Sequence, residues 1–168
     1  MMISNVNQSI KRPAPMSRIV FTLLIAVVLT LLPWSGYAQL IEPNWILIVL
    51  LYWGIHEPRV INGSAFFVFG LIADVAQSSI LGVHALSFSV VFWLLSIYRQ
   101  RILTFYAANQ ALHLLPAFLL NQLLITVIVY VTNDTTPHLI WFSQSVLSSI
   151  CWLITPYVVE AKFSTKNS

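Results

Sequence analysis

Residues 60–98 read VINGSAFFVFGLIADVAQSSILGVHALSFSVVFWLLSIY. Two apolar runs, Val60 to Ser79 and Leu81 to Tyr98, meet at a polar turn. Each is close to the roughly 20 residues that a helix needs to cross the hydrocarbon core of a bilayer. Asp74 is the one carboxylate in the stretch, and no Lys or Arg interrupts it. The basic residues stand at its ends, Arg59 before it and Arg99 and Arg101 after it. Cytoplasmic loops of membrane proteins collect Lys and Arg, so the stretch reads as a helical hairpin whose turn lies on the far side of the membrane.

The same pattern extends in both directions. Of 168 residues, 58% are apolar and 8% charged, where a soluble domain carries about 25% charged residues, and the mean hydropathy is +0.84. An ordinary soluble domain is excluded, because a 19.0 kDa globule cannot hide that much apolar surface from water. Six spans are predicted, Ile19 to Tyr37, Leu40 to Ile55, Val60 to Ser79, Leu81 to Tyr98, Leu112 to Thr132 and His138 to Val159. The second is short, its apolar part starting only after Glu42-Pro43, so it is expected to tilt little, to start as a half-helix, or to lean on neighbouring helices rather than on lipid. Lys11, Arg12, Arg18, Arg59, Arg99, Arg101, Lys162 and Lys166 all fall on one side of this arrangement. The fold class is therefore an all-α integral membrane protein with both termini cytoplasmic. The expected organisation is a disordered tail over 1–18, one six-helix domain over 19–159 and a second tail over 160–168. Trp34, Tyr37, Trp45, Tyr130 and Trp141 on one side, with Trp53, Trp93, Tyr98 and Tyr157 on the other, suit the headgroup zones.

One local alternative stays open. Lys11 to Arg18, then Ile19 to Leu32, then Gly36-Tyr37-Ala38 has the form of a signal peptide with its cleavage site, and cleavage would leave five spans. No internal repeat relates the first three spans to the last three. The net charge of +3 is dispersed and forms no patch, so no nucleic acid partner is implied. A single cysteine, Cys151, makes an intrachain disulfide or a CxxC pair impossible.

Polar residues inside apolar spans mark the faces that look inward. Gly63, Gly70, Asp74 and Gln77 share one face of the third span; Gln110, His113, Ala117 and Asn121 line the fifth; Gln144, Ser148, Cys151 and Thr155 line the sixth. Small residues there permit close helix approach, and the amides and hydroxyls bond across helices. An acid in a span is a functional candidate, yet Asp74 lies about five residues, or ~8 Å, from the predicted loop. Reaching the interface, or bonding nearby backbone, competes with a functional role. His84 is a possible partner if the third and fourth spans form a hairpin, whereas His113 belongs to the other side. No HExxH, GxSxG or Walker motif is present. The four histidines lie in separate places, so no enzyme activity, cofactor or metal site is implied.

Pro43-Asn44-Trp45, Leu50-Leu51-Tyr52-Trp53, Pro58-Arg59-Val60, Gly70-Leu71-Ile72-Ala73-Asp74 and Leu81-Gly82-Val83, with their spacing, resemble the rod shape-determining protein MreD family in its proteobacterial form. The likeness is specific over Glu42 to Ala85 and looser to Lys162. One departure is Glu42 before Pro43, where the family often has Arg-Pro. The resemblance implies a non-enzymatic subunit of the machinery that builds the lateral wall of rod-shaped bacteria in the inner membrane. It also implies a fold similar to the six-helix substrate-binding subunits of energy-coupling-factor transporters. The implied partners are the bitopic protein MreC and, in the same complex, a class B penicillin-binding transpeptidase, RodA and MreB, all around a lipid bilayer. With such short loops, recognition is expected in the bilayer plane. Pro43, Asn44 and Trp45 with the Asp74 to Gly82 region would shape an outer cavity or ledge, Gly63 and Gly70 would allow close packing, and Arg59 would anchor the cytoplasmic side. The competing reading is a small-molecule-binding membrane subunit of a transporter, in which the polar stripes line a substrate cavity.

Overall fold

A computed structural model describes residues 14–32, 42–105, 107–133 and 139–161. Every regular element among them is helical: α1 Met16–Leu31, α2 Trp45–His56, α3 Gly63–Ala76, α4 Val83–Leu103, α5 Ala107–Asn133 and α6 Ser143–Ala161, with a 3₁₀ turn over Leu139–Phe142 leading into α6. The end of the first predicted span, the proposed cleavage site, the Asp134 to Pro137 loop and most of both tails lie outside the described residues.

Caps explain where the helices depart from the predicted spans. The second span was expected from Leu40, but Glu42 to Asn44 are not helical. Asn44 instead acts as N-cap, its Oδ1 accepting from the amide of Leu47 at 3.1 Å. α3 likewise starts at Gly63 because Asn62 Oδ1 accepts from the amide of Ala65 at 3.2 Å. It stops at Ala76 through paired turns in which Ser79 N donates to Asp74 O at 3.0 Å and Ser78 N to Val75 O at 3.3 Å. That pattern needs a left-handed residue after the helix, and Ser78 takes it with φ 51°. Asp74 is therefore in the last turn of α3, closer to the helix end than expected. Glycine adopts this conformation without a Cβ penalty, so Ser78→Gly is expected to raise stability by about 0.5–1 kcal/mol, read from chemical unfolding; an unchanged midpoint would refute it.

Helix also extends into both segments assigned to the tails. α1 starts at Met16, inside the segment assigned to the tail, and Ala14 N donates to Glu57 Oε1 at 2.9 Å. α6 runs to Ala161, since Val158 to Ala161 contains no helix breaker. α4 extends through Arg99 and Arg101 to Leu103.

Length and burial assign each helix its surroundings. At 1.5 Å per residue α2 and α3 span only about 18 and 21 Å, less than a hydrocarbon core of about 30 Å. α2 is apolar all round, and every residue from Ile46 to Ile55 except Val49 is buried, as a central helix requires. α3 packs along α4, α4 along α5 and α5 along α6, while α1 lies on α2 and α3, and α2 also touches α4 and α6. The result is an open ring around α2, with an apolar groove between α1 and α6. Polar side chains pin it together: Trp53 Nε1 donates to Thr22 Oγ1 at 2.9 Å, Ser87 Oγ to Asn121 Oδ1 at 2.7 Å, and Ser149 Oγ to Ala111 O at 2.7 Å.

The outer faces are apolar. On α1, Ile19, Leu23, Ala26 and Thr30 are buried, while Val20, Leu24 and Val28 are exposed. Leu86 and Trp93 on α4, Leu123 and Val127 on α5, and Ile150 and Ile154 on α6 are exposed as well. Asn109–Thr132 within α5 is the one stretch among the described residues both long and apolar enough to cross a membrane by itself.

Candidate functional site

The turn between α3 and α4 is organised by a single carboxylate. Gly82, at φ +103°, is the N-cap of α4 and has no side chain with which to satisfy the first amides of that helix. Asp74 reaches across from α3 and supplies the acceptors. Its Oδ1 accepts from His84 N at 2.8 Å, and its Oδ2 from Gly82 N at 2.8 Å and Ala85 N at 3.4 Å. His84 N and Ala85 N are the amides that an N-cap side chain ordinarily serves, Gly82 N is the cap residue's own, and an anion there also suits the helix dipole. Oδ1 accepts further from Ser79 Oγ at 3.0 Å and pairs with His84 Nδ1 at 2.9 Å. Asp74 is fully buried and His84 is 5% exposed.

This junction depends on Gly70, one turn earlier on the same face of α3. A Cβ at Gly70 would lie 2.7 Å from Ala85 N and 2.9 Å from the carbonyl carbon of His84, so the two helix backbones are in contact. Gly63 is different, because a Cβ there would meet only the Phe92 ring, at 3.1 Å. Gln77, the fourth member of the predicted stripe, caps α3 and is exposed.

Beside the junction is a cavity of about 720 Å³, bounded in part by Pro43, Asn44, Ser79, His84, Gln122 and Gln144. Pro43 and Asn44 thus come together with the α3–α4 turn, and Asn44 N also donates to Ser148 Oγ at 3.0 Å. Trp45 does not join them: it faces a separate apolar groove of about 260 Å³ between α1, α2 and α6. Arg59 is exposed in the α2–α3 turn, at the other end of α3. Nearby, Arg99 Nε donates to Ile55 O at 2.7 Å and closes the last turn of α2. His113 is exposed, stacked on Phe105 with centroids 4.2 Å apart, and has no contact with Asp74. Among the described residues no cluster of His, Cys, Asp or Glu is arranged to hold a metal ion.

Glu42, also on the cavity wall, has its Oε1 buried without a hydrogen-bond partner. Burial raises its carboxyl from the usual carboxylate range to about 7. A group that binds its proton more tightly folded than unfolded stabilises the fold at low pH, and that contribution is lost as pH rises from the unfolded value to the folded one. The melting temperature is therefore expected to fall between about pH 4.5 and 7, and Glu42→Gln to flatten that slope. Equal slopes in the two proteins would refute the assignment.

With the geometry in place, comparison with known proteins is decisive. A family model described as rod shape-determining protein MreD matches residues 11–163. The chain belongs to the MreD family. It is 39% identical over 80 residues to the rod shape-determining protein MreD of Haemophilus influenzae, a match covering 45% of this chain and 49% of that one. The chain thus spans about half the length of this curated relative. No solved structure matches. MreD proteins are bacterial membrane proteins with a role in rod shape determination, which accords with the helical, apolar architecture seen here.

Several residues that organise this MreD fold carry no signal in the sequence. A Cβ at Gly54 would come within 3.1 Å of Leu95 and 3.2 Å of Phe66, yet Gly54 is an isolated glycine in an apolar run. Glu57 tethers Ala14 across 43 positions. Ser148, on the stripe expected for the sixth span, is buried and meets Asn44 across 104 positions, and only that pairing is missing from the sequence.

Proposed function

We propose that the chain is a multi-pass inner-membrane scaffold of the cell-wall elongation complex, with six spans over 19–159 and both termini cytoplasmic. In this reading it binds MreC and, directly or through it, supports the class B penicillin-binding transpeptidase, RodA and MreB in peptidoglycan synthesis. The carrying observation is the apolar exterior of the helices around a central helix too short to span alone. Such a surface faces lipid or a partner helix, and the short connections leave little else to recognise. All eight basic residues fall on one side of the bundle under this topology, as the positive-inside rule requires. Arg59, Arg99 and Arg101 hold that side at the headgroups, and Pro43, Asn44, Gly70, Asp74 and Gly82 fix the opposite ledge.

A pull-down of the tagged protein from its own membranes in mild detergent, read by mass spectrometry, tests this. Recovery of MreC and wall synthases is the expected result. Recovery of an ATP-driven transporter module instead would favour the second reading, a small-molecule-binding transporter subunit resembling those of energy-coupling-factor systems, which the 720 Å³ cavity supports.

A further inference from the structure

The cavity beside the α3–α4 turn has a chemistry that helix packing does not use. Amides of Asn44, Gln77, Gln122 and Gln144 line it, and no Lys or Arg does among the described residues. Amides donate and accept, so they set no preference for charge. Two other groups do. His84 Nδ1 faces the Asp74 carboxylate at 2.9 Å and is therefore the donor nitrogen. That leaves Nε2, on the far edge of a ring only 6% exposed, as the acceptor His84 offers to the cavity it lines. Glu42 Oε1 is buried on the same wall with no partner. Both are acceptors waiting for a donor, and the volume of about 720 Å³ is within the range of ligand sites.

We propose that this cavity binds a primary ammonium group, with the Glu42 carboxylate as its counter-ion and His84 Nε2 as a hydrogen-bond acceptor. Above about pH 7, where Glu42 is ionised, an anion would meet it with no cation to offset it, and a neutral polyol would leave that carboxylate uncompensated. The ammonium is carried either by a lipid headgroup or by a free amine. Binding needs only the folded chain, so a pull-down that fails to recover partners leaves this site untouched.

The test follows thermal unfolding of the purified full chain with ethanolamine, against choline and sodium chloride at equal ionic strength. Choline has the same charge without N–H donors. In parallel, the chain is placed in nanodiscs of phosphatidylethanolamine or of phosphatidylcholine. A saturable rise in melting temperature with ethanolamine but not choline supports the site and shows that a free amine suffices. A rise confined to phosphatidylethanolamine discs also supports it and identifies the headgroup as the source. Glu42→Gln, on the segment before α2 and away from the Asp74 network, is expected to weaken the apparent affinity at least tenfold. The proposal is overturned if neither ethanolamine nor phosphatidylethanolamine raises the melting temperature above its control, or if Glu42→Gln responds as the wild type does.

Discussion

Gly70→Ala is expected to destabilise the protein by about 2 kcal/mol, read as a lowered unfolding midpoint in detergent. Two opposing effects decide the sign. Alanine is the better helix former by about 1 kcal/mol, which favours the variant. Against that, its Cβ would sit 2.7 Å from Ala85 N and 2.9 Å from the carbonyl carbon of His84. Those are backbone atoms of α4 and no rotamer change moves them, so the helices must part. Overpacking of this kind costs about 1–3 kcal/mol, and parting α3 from α4 also lengthens the bonds from Asp74 to His84 N and Ala85 N. Gly63→Ala is the control, since its Cβ would meet only the swinging ring of Phe92. There the ring must give by a few tenths of an ångström, which offsets a propensity gain already reduced at the first residue of α3, and stability is expected to change by less than about 0.5 kcal/mol. Equal tolerance at both positions would show that close backbone approach does not limit this crossing.

The hairpin that holds Gly70 was legible because its two signals are local. Period and turn chemistry put Gly70 and Asp74 on one face and bring His84 back beside them within ten positions. The start of α2 was half legible: its apolar part visibly begins after Glu42-Pro43, but the Asn44 cap depends on one side chain rather than on mean hydropathy. The fifth helix shows a different limit. Gln110, His113, Ala117 and Asn121 have the spacing of a buried stripe, but the face that packs runs through Ala111, Leu114, Ala117, Phe118 and Asn121. The two share Ala117 and Asn121 and part by one residue over the first turns. Turning the helix that far buries Leu114 and leaves the polar ring of His113 outside, a preference that spacing alone cannot express. Contacts such as Asn44 with Ser148 leave no trace in any window, because they are made only once α6 has packed on α2.

Asp74→Ala is expected to be the most damaging single change, costing about 3 kcal/mol or more. The carboxylate is fully buried and accepts from three backbone amides, a hydroxyl and an imidazole. Truncation leaves those donors without an acceptor, and a buried donor left unmade costs about 1–3 kcal/mol. Gly82 cannot take over the cap, having no side chain, and a loss on this scale is a large part of a domain's usual 5–15 kcal/mol. Asp74→Asn separates the cap from the charge. Its one carbonyl oxygen still serves the amides at His84 or Gly82, while its NH₂ faces a backbone N–H donor on the other side whichever way the amide is turned, so an intermediate loss is expected. If the asparagine variant is as stable as the wild type, the carboxylate is not needed as an anion at the start of α4. If it is destabilised as expected but still supports rod shape and partner recovery in cells lacking the native gene, Asp74 acts in folding alone, and the ledge it fixes is not where partners are recognised.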